Sequence, residues 1–308
     1  MMPLPARLKI VEVGPRDGLQ NEPEPIATDV KLAFIARLAE SGLSQIEATS
    51  FVHPKAIPQL ADAVEVARRL PAAGGVTYSA LVPNQKGLDR AIEAGMRRIA
   101  VFTAASDSFA KKNINMTVDE SLATFAPVVA AALERGITVR GYVSTCFVCP
   151  FEGDVSKQRV REVALRLFDM GIDEVAISDT IGAASPRDVF ETVGCVLEQS
   201  PREKIALHFH DTYGTALANV LAGLQLGVTT FDSSAGGLGG CPYAPGASGN
   251  LATEDLVYML DRMGIHTGVD LGKVFEASSL IAQTLRRQLP GRQWRKLSAE
   301  AGDADPTR

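Results

Sequence analysis

The stretch Leu8-Lys9-Ile10-Val11-Glu12-Val13-Gly14-Pro15-Arg16-Asp17-Gly18 is an apolar run that ends in a charged Arg-Asp pair between two glycines. The run predicts a β-strand, and the glycines predict a tight turn directly after it. In α/β enzymes such a turn places polar side chains at the sheet edge where the chemistry occurs. An open doubly wound sheet usually has a glycine-rich dinucleotide-binding turn here, and Gly-Pro-Arg-Asp-Gly is not one.

Strand-like runs alternate with helix-like segments along the rest of the chain. Amphipathic segments such as 30–40, 61–70, 121–134 and 157–170 have apolar residues every three to four positions. Several segments end on a glycine followed by an apolar residue, such as Gly42-Leu43, which is typical of a left-handed C-terminal cap. The eight predicted strands are 8–13, 45–51, 76–82, 98–103, 138–146, 174–178, 205–210 and 229–233.

Eight strand–helix units in roughly 250 residues match the (β/α)8 TIM barrel, so we predict this α/β fold with additional C-terminal helices. No linker rich in proline or serine divides the chain before Pro290, and we therefore expect a single domain over 1–308. The barrel is expected over about 8–264, with a helical cap over about 265–290. Residues 299–308 are expected to be disordered.

Composition and charge exclude several classes of function. The chain has 308 residues, 46% of them hydrophobic, and a formal net charge of −5. This acidic balance argues against nucleic acid or an anionic membrane surface as a partner. There is no apolar segment typical of a signal peptide or a membrane span, and four cysteines do not make a disulfide framework. We expect a cytoplasmic protein that forms a homodimer or a higher homo-oligomer.

Four scattered polar residues meet at one place if the chain folds as a barrel. Asp17 follows the first strand, His208 and His210 end the seventh, and Asn250 follows the eighth, so adjacent strands bring them to the C-terminal mouth. Glu47 lies within the second strand. A carboxylate, an amide and two imidazoles suit an octahedral Mg²⁺ or Mn²⁺ with open positions for substrate. Taken singly, these residues could equally be turn, cap or core residues.

Two further segments lie at the predicted functional end of the barrel. Residues 233–250 contain six glycines with Cys241 near the middle, and we interpret them as a lid that brings a thiol over the metal. The alternative is a flexible connection with an incidental cysteine. Lys111, Lys112 and Asn113 follow the fourth strand. They could hold the phosphates of a nucleotide-bearing substrate or form a solvated basic loop.

Several of these motifs carry a family resemblance. The segments 14–22 and 111–115, His208-x-His210-Asp211-Thr212-Tyr213-Gly214, and the glycine loop running into 250–258 resemble those of the 3-hydroxy-3-methylglutaryl-CoA lyases of the metallolyase TIM-barrel superfamily. The resemblance extends over nearly the whole chain, to about Arg287. Its most specific part is Gly-Leu-Gly-Gly-Cys-Pro-Tyr-Ala over 237–244.

The resemblance implies a divalent metal, an acyl-CoA thioester substrate and a set of site residues. It places Arg16 beside the thioester carbonyl and Cys241 on a mobile loop, and it marks Glu47 and Glu254 as important. The implied metal ligands are Asp17, His208, His210 and Asn250. We therefore assign catalysis to Arg16, Asp17, Glu47, His208, Cys241 and Glu254, and substrate binding to Arg16, Gln20, Lys111, Lys112 and Asn113.

The activity that follows is cleavage of 3-hydroxy-3-methylglutaryl-CoA to acetyl-CoA and the ketone body acetoacetate, as in leucine degradation. Which of Asp17, His208 and Cys241 is the acid and which the base stays open. A lyase for a longer thioester such as 3-hydroxy-3-isohexenylglutaryl-CoA remains an alternative. Claisen-type condensing synthases of the superfamily resemble Arg-Asp-Gly-Glu-Gln, whereas this chain has Leu19 at the fourth position. A binding protein without catalysis is disfavoured by the intact set of candidate ligands.

Overall fold

The fold is a closed barrel of parallel strands surrounded by helices, described here from a computed structural model for residues 4–72, 74–240 and 249–303. The strands of the barrel and of a short antiparallel hairpin are β1 (Lys9–Glu12), β2 (Gln45–Ser50), β3 (Thr77–Leu81), β4 (Arg98–Ala104), β5 (Thr138–Ser144), hairpin strands β6 (Val148–Cys149) and β7 (Gly153–Asp154), β8 (Glu174–Asp179), β9 (Ile205–Phe209) and β10 (Thr230–Ser233). Around the barrel the strands follow the order β1-β10-β9-β8-β5-β4-β3-β2, which confirms the predicted TIM-barrel class.

The helices surround the barrel. Two begin with a capping box, in which Thr117 pairs with Glu120 and Ser185 with Asp188. The helices are α1 (Thr28–Glu40), α2 (Ala63–Arg68), α3 (Gln85–Glu93), α4 (Asp107–Ile114), α5 (Val118–Leu133), α6 (Lys157–Asp169), α7 (Pro186–Leu197), α8 (Ala216–Gln225), α9 (Thr253–Arg262), α10 (Leu271–Leu285) and α11 (Arg292–Asp303).

The barrel closes where the first strand pairs with the last. Val11 is opposite Asp232 and Glu12 is opposite Ser233 in this parallel pairing, and β1 also pairs with β2. Inside the barrel, Leu81, Ala100, Tyr142, Ala176 and Ala206 form a small apolar cluster below the mouth. The much larger apolar core lies between the sheet and the helices.

The predicted left-handed glycines after the helices are confirmed. Gly42, Gly95, Gly136, Gly171 and Gly227 all have φ between 68° and 94°. At Gly42 a side chain is also excluded by space, because a Cβ atom would lie 2.1 Å from the carbonyl oxygen of Gly268.

The prediction of disorder at the C-terminus is wrong for residues 299–303, which belong to α11. This helix starts where Asp255 accepts hydrogen bonds from the backbone N–H groups of Arg292 (3.0 Å) and Gln293 (2.6 Å). Trp294 is buried, with its ring centroid 6.3 Å from that of Phe275 on α10. The predicted helical cap therefore comprises two helices and extends past residue 290. Residues 304–308 lie outside the described part of the chain.

Within the described ranges, no single helix is long and apolar enough to cross a membrane. Among the helices of these ranges, α4 and α5 taken together have the length and composition of a span, and the chain bends by 60° between them.

Candidate active site

The turn after β1 brings Arg16 and Asp17 to the mouth of the barrel. It is a single turn of π-helix over Gly14–Gly18, in which the Val13 carbonyl oxygen accepts hydrogen bonds from the N–H groups of Arg16 (3.1 Å), Asp17 (2.7 Å) and Gly18 (3.2 Å). Such turns are frequent at functional sites. Both glycines are required by space: a Cβ at Gly14 would lie 2.5 Å from Glu12 Oε1, and one at Gly18 2.9 Å from Ser234 Oγ.

Three of the predicted metal ligands form a compact cluster at this mouth. One ligand atom from each of Asp17, His208 and His210 lies within 4.8 Å of the others, and no other such cluster occurs among the described residues. The Nε2 atoms of His208 and His210 are 4.0 Å and 3.9 Å from Asp17 Oδ2. Asn250 joins them, because its Nδ2 donates to Asp17 Oδ2 at 2.9 Å. The structure therefore brings all four residues together at the mouth, and their role as metal ligands stays a prediction.

The chemistry of this cluster fits a hard divalent cation. His210 Nδ1 and Asn250 Oδ1 are buried and have no hydrogen-bond partner within the part of the chain that is described. Burial, together with His208, lowers the pKa of His210 to about 4, so its imidazole is neutral and able to ligate. Burial alone would raise the pKa of Asp17, but the Arg16 guanidinium and the two histidines lower it well below its usual range. An ionised carboxylate and neutral imidazoles are in the protonation states that can ligate a divalent metal ion.

A buried carboxylate that sequence reasoning missed orients His208. Asp232 Oδ2 lies 3.1 Å from His208 Nδ1, and its Oδ1 accepts a 2.6 Å hydrogen bond from Arg140. The Nε2 atom of His208 is left to face Asp17 and His210. A carboxylate behind a ligating histidine is a recurrent feature of metal sites, because it fixes the ring and its tautomer. The pairing of β9 with β10 sets Asp232 opposite His208.

Arg16 is held rigidly beside the cluster. Its Nε atom donates to Glu47 Oε2 at 2.6 Å, and its NH1 group donates to Asp17. Tyr142, whose ring lies 5.6 Å from the guanidinium carbon, also contacts Glu47 Oε2 at 3.3 Å. Burial would lower the pKa of Arg16, but the two carboxylates raise it above its ordinary value, so the guanidinium stays charged. Glu47 contacts Arg16 and does not line the cavity, and its predicted catalytic role stays a prediction.

The cluster opens into a cavity of about 640 Å³ at the mouth. Gln20 and Asn113, two of the predicted substrate-binding residues, line it. Lys111 and Lys112 are exposed on α4 and do not line the cavity. The other side chains in its wall include the apolar Val52, Ile57, Leu81, Phe102, Phe109 and Ile114 and the hydroxyl-bearing Tyr142, Ser144, Ser178 and Thr180.

Glu254 is not in the cavity wall, and its contacts are those of a positioning residue. Its two carboxylate oxygens accept 2.6 Å hydrogen bonds from the Gly236 N–H group and from Ser278 Oγ on α10. Burial raises its pKa to about 7. The catalytic role of Glu254 stays a prediction; in the structure its carboxylate contacts the turn at 235–237, in the first part of the glycine loop.

Glu12, which sequence reasoning did not single out, holds the same turn from the other side. Its Oε1 atom accepts hydrogen bonds from the N–H groups of Gly14 (2.7 Å) and Ala235 (2.9 Å), and its Oε2 accepts one from Thr253 Oγ1 (2.6 Å). Glu12 therefore links two segments: the turn that contains Arg16, and the start of the glycine loop. Cys241 and residues 242–248 of the predicted lid lie outside the described residues.

A closed parallel barrel with an oxygen–nitrogen ligand set and a fixed arginine at its C-terminal mouth defines a metal-dependent TIM-barrel enzyme. The chain belongs to the HMGL-like family, whose model matches residues 7–281. This confirms the family resemblance predicted from the sequence.

Named relatives and solved structures match over nearly their full length. A hydroxymethylglutaryl-CoA lyase of Bacillus subtilis is 52% identical over 291 residues, which cover 94% of this chain and 97% of the relative. The crystal structure of the Bacillus subtilis HMG-CoA lyase has a TM-score of 0.95 at 51% identity and covers 96% of this chain and 100% of its own. The structure of an HMG-CoA lyase from Acinetobacter baumannii, in complex with coenzyme A and 3-methylmalate, has a TM-score of 0.91 at 40% identity. It covers 100% of this chain and 99% of its own.

Proposed function

We propose that this chain is a carbon–carbon lyase that cleaves 3-hydroxy-3-methylglutaryl-CoA into acetyl-CoA and acetoacetate. The observation that carries the proposal is the convergence of Asp17, His208 and His210 at the barrel mouth beside a charged, rigidly held Arg16. The proposal is also supported by the relatives and solved structures, which are themselves hydroxymethylglutaryl-CoA lyases. The CoA moiety of the substrate is supported by the coenzyme A in the Acinetobacter baumannii structure.

We propose that Mg²⁺ or Mn²⁺ is the cofactor and that Asp17, His208, His210 and Asn250 hold it. When bound, a divalent ion would polarise the substrate's hydroxyl and acyl oxygens and lower the free energy of the alkoxide. The side chains contribute in their own right: Asp232 fixes the His208 ring, and burial keeps His210 neutral. Metal requirement is tested by chelation, which should abolish turnover, and by readdition of either ion, which should restore it.

The reaction breaks the bond between C2 and C3 of the acyl group. An enzyme base takes the proton of the C3 hydroxyl, the C2–C3 bonding pair moves into the thioester enolate, and C3 becomes the ketone of acetoacetate. The enolate then takes a proton at C2 and leaves as acetyl-CoA. Arg16 is the fixed positive charge at the mouth, and it stabilises the negative charge that develops on the thioester oxygen. Asp17, His208 and Cys241 remain the candidate groups for the two proton transfers.

The identity of the acyl group is tested by assaying two thioesters side by side. The proposal expects turnover of 3-hydroxy-3-methylglutaryl-CoA well above that of 3-hydroxy-3-isohexenylglutaryl-CoA. The reverse preference would assign the chain to the longer substrate. Failure of the metal-loaded protein to cleave either thioester, combined with condensation of an acyl-CoA with a keto acid, would assign it to the synthases instead.

We further propose that the protein works in the cytoplasm as a homodimer or higher homo-oligomer, in leucine degradation. Cys146, Cys149 and Cys195 are free thiols buried in the structure, which suits a reducing compartment. Light scattering on the purified protein tests the oligomeric state, and fractionation of the source cells tests the location.

A further inference from the structure

Two buried carboxyl groups, on different elements, hold one backbone turn. This turn, at 235–237, lies at the start of the glycine loop. Glu12 on β1 accepts a hydrogen bond from the Ala235 N–H group at 2.9 Å, and Glu254 on α9 accepts one from the Gly236 N–H group at 2.6 Å. Both carboxyl groups are fully buried. We refer to Glu12 and Glu254 together as the carboxyl pair.

The hydrogen bonds of the carboxyl pair can all be made when its members are protonated. Each carboxyl group has one oxygen bonded to backbone N–H groups and one bonded to a hydroxyl. Glu12 Oε2 is 2.6 Å from Thr253 Oγ1, which is itself 2.8 Å from Ser233 Oγ. Glu254 Oε1 is 2.6 Å from Ser278 Oγ, which also lies 3.1 Å from a backbone carbonyl oxygen of α10. Because a hydroxyl donates and accepts, each one can take a hydrogen bond from a protonated carboxyl group and donate to its second neighbour.

No positively charged side chain among the described residues donates a hydrogen bond to the carboxyl pair. The ionisable groups that face it are acids: Asp232 on β10 faces Glu12, and Glu12 in turn faces Glu254. The packed helices α9 and α10 contribute hydroxyls, and the guanidinium of Arg16 on the adjacent turn is bonded to other carboxylates. Burial, together with these neighbouring acids, raises the pKa of both members of the pair to about 7. Their charge is therefore costly in the closed structure.

The turn held by the carboxyl pair is connected to the candidate active site on two sides. Glu12 also accepts a 2.7 Å hydrogen bond from the Gly14 N–H group, in the turn that contains Arg16. The carbonyl oxygen of Leu238, directly after the held turn, accepts a 3.1 Å hydrogen bond from Asn250 Nδ2. A movement of the turn at 235–237 would therefore reach both the backbone before Arg16 and the side chain of Asn250.

We propose that Glu12 and Glu254 are positioning residues that hold the start of the glycine loop in their protonated form, and that ionisation of each loosens the turn at 235–237. Opening of the turn admits water to the carboxyl groups, so that their charge costs less in the open turn than in the closed one. Opening therefore becomes easier as the pH rises and the two protons are lost to water. The inference concerns the backbone of the loop and does not depend on which thioester the protein cleaves.

Amide hydrogen exchange of the turn at 235–237, measured at about pH 6 and about pH 8.5, tests the proposal. The protection factor compares each amide with a freely exposed one, so the ordinary pH dependence of exchange cancels. A carboxyl group with a pKa of about 7 in the closed turn and 4.5 in the open one makes opening about 10-fold easier between these pH values. The carboxyl pair together therefore predicts about 100-fold lower protection at the higher pH.

Glutamine variants separate this role from general stability, because glutamine has the hydrogen-bonding pattern of a protonated carboxyl group and does not ionise. Glu12→Gln and Glu254→Gln should each reduce the pH-dependent loss of protection to about 10-fold, and the double variant should abolish it. Glu276→Gln, on the exposed face of α10, should retain the loss of about 100-fold. The turn after α8, where the Gly227 N–H group donates to the Leu224 carbonyl oxygen at 2.9 Å, is the internal reference. Its protection should change by less than about twofold.

Three results would overturn the proposal: protection of the turn at 235–237 that does not vary with pH, an equal loss of protection in the double variant, or a parallel loss at the Gly227 turn. If the glutamine variants are insoluble, the comparison of the two turns in the unchanged protein decides alone. None of these measurements involves thioester cleavage, so failure of this inference is distinguishable from failure of the proposed function.

Discussion

Replacing Glu12 by glutamine should stabilise the protein above neutral pH and change little near pH 5. Glu12 is fully buried, its three hydrogen bonds all come from uncharged donors, and the Asp232 carboxylate further raises its pKa. Burial raises its pKa from 4.5 to about 7. Glutamine keeps an oxygen for the Gly14 and Ala235 N–H groups and presents its amide to Thr253 Oγ1, which can donate in turn to Ser233 Oγ at 2.8 Å.

The size of the effect follows from the two pKa values. An acid whose pKa is higher in the folded state adds to the free energy of unfolding. This addition is complete below the unfolded-state pKa of 4.5 and is lost as the pH rises through about 7. At 1.36 kcal/mol per pKa unit, the full loss is roughly 3 kcal/mol of the free energy of unfolding. Most of it falls between pH 5 and 8. Glutamine does not ionise, so the variant does not incur this loss.

Urea-unfolding curves at pH 5 and pH 8 measure the difference. The stability of Glu12→Gln relative to the unchanged protein should increase by about 2–3 kcal/mol between these pH values. Glu276→Gln, on the exposed face of α10, should show no such increase. Glu12→Leu should be destabilised at both pH values by about 1–3 kcal/mol for each N–H group that loses its acceptor. The argument would be refuted if the difference in the free energy of unfolding between Glu12→Gln and the unchanged protein did not vary with pH.

Three further substitutions probe the site. Arg16→Met should lower the turnover number by at least about 10³ while Mn²⁺ affinity is retained, because the charge is needed when the enolate forms. Asp232→Asn should weaken Mn²⁺ binding about 10- to 100-fold, measured by calorimetry, because His208 loses its orienting carboxylate. Cys241→Ser should lower turnover about 10²- to 10⁴-fold with metal and substrate affinity nearly unchanged, since serine is a much poorer acid.

Each of the three has an outcome that contradicts it. Loss of Mn²⁺ binding in Arg16→Met would make that residue structural. Unchanged metal affinity in Asp232→Asn would remove its orienting role. Near-normal turnover of Cys241→Ser, with alkylation of Cys241 unaffected by a substrate analogue, would withdraw the thiol from catalysis.

The barrel was predictable because its strands are short, apolar and separated by glycine caps. The predicted strand 45–51 corresponds to β2 (Gln45–Ser50), and 205–210 to β9 (Ile205–Phe209). The convergence of Asp17 with His208, His210 and Asn250 followed from topology alone, since the ends of neighbouring strands meet at one mouth.

The residues that support the ligands were not predictable, because their roles depend on strand register. Glu12 and Asp232 each look like an isolated acid in an apolar strand, and only the pairing of β1 with β10 and of β10 with β9 gives them partners. Helix α11 was missed for a similar reason. Its charged sequence resembles a disordered tail, whereas Asp255 on α9 caps its start and Trp294 anchors it.

The closure of the barrel between β1 and β10 has a consequence for the order of folding. Asp17 lies on one side of this closure, and His208, His210 and Asn250 come from the far end of the chain, so the ligands meet only when the last strand docks against the first. Contacts between residues so distant in sequence form late, because the intervening loop must first be closed. We therefore expect that a nascent or truncated chain without β10 does not assemble this cluster. An ion bound at this cluster would favour the closed barrel over the open chain by mass action, which predicts that metal supply raises the folding yield.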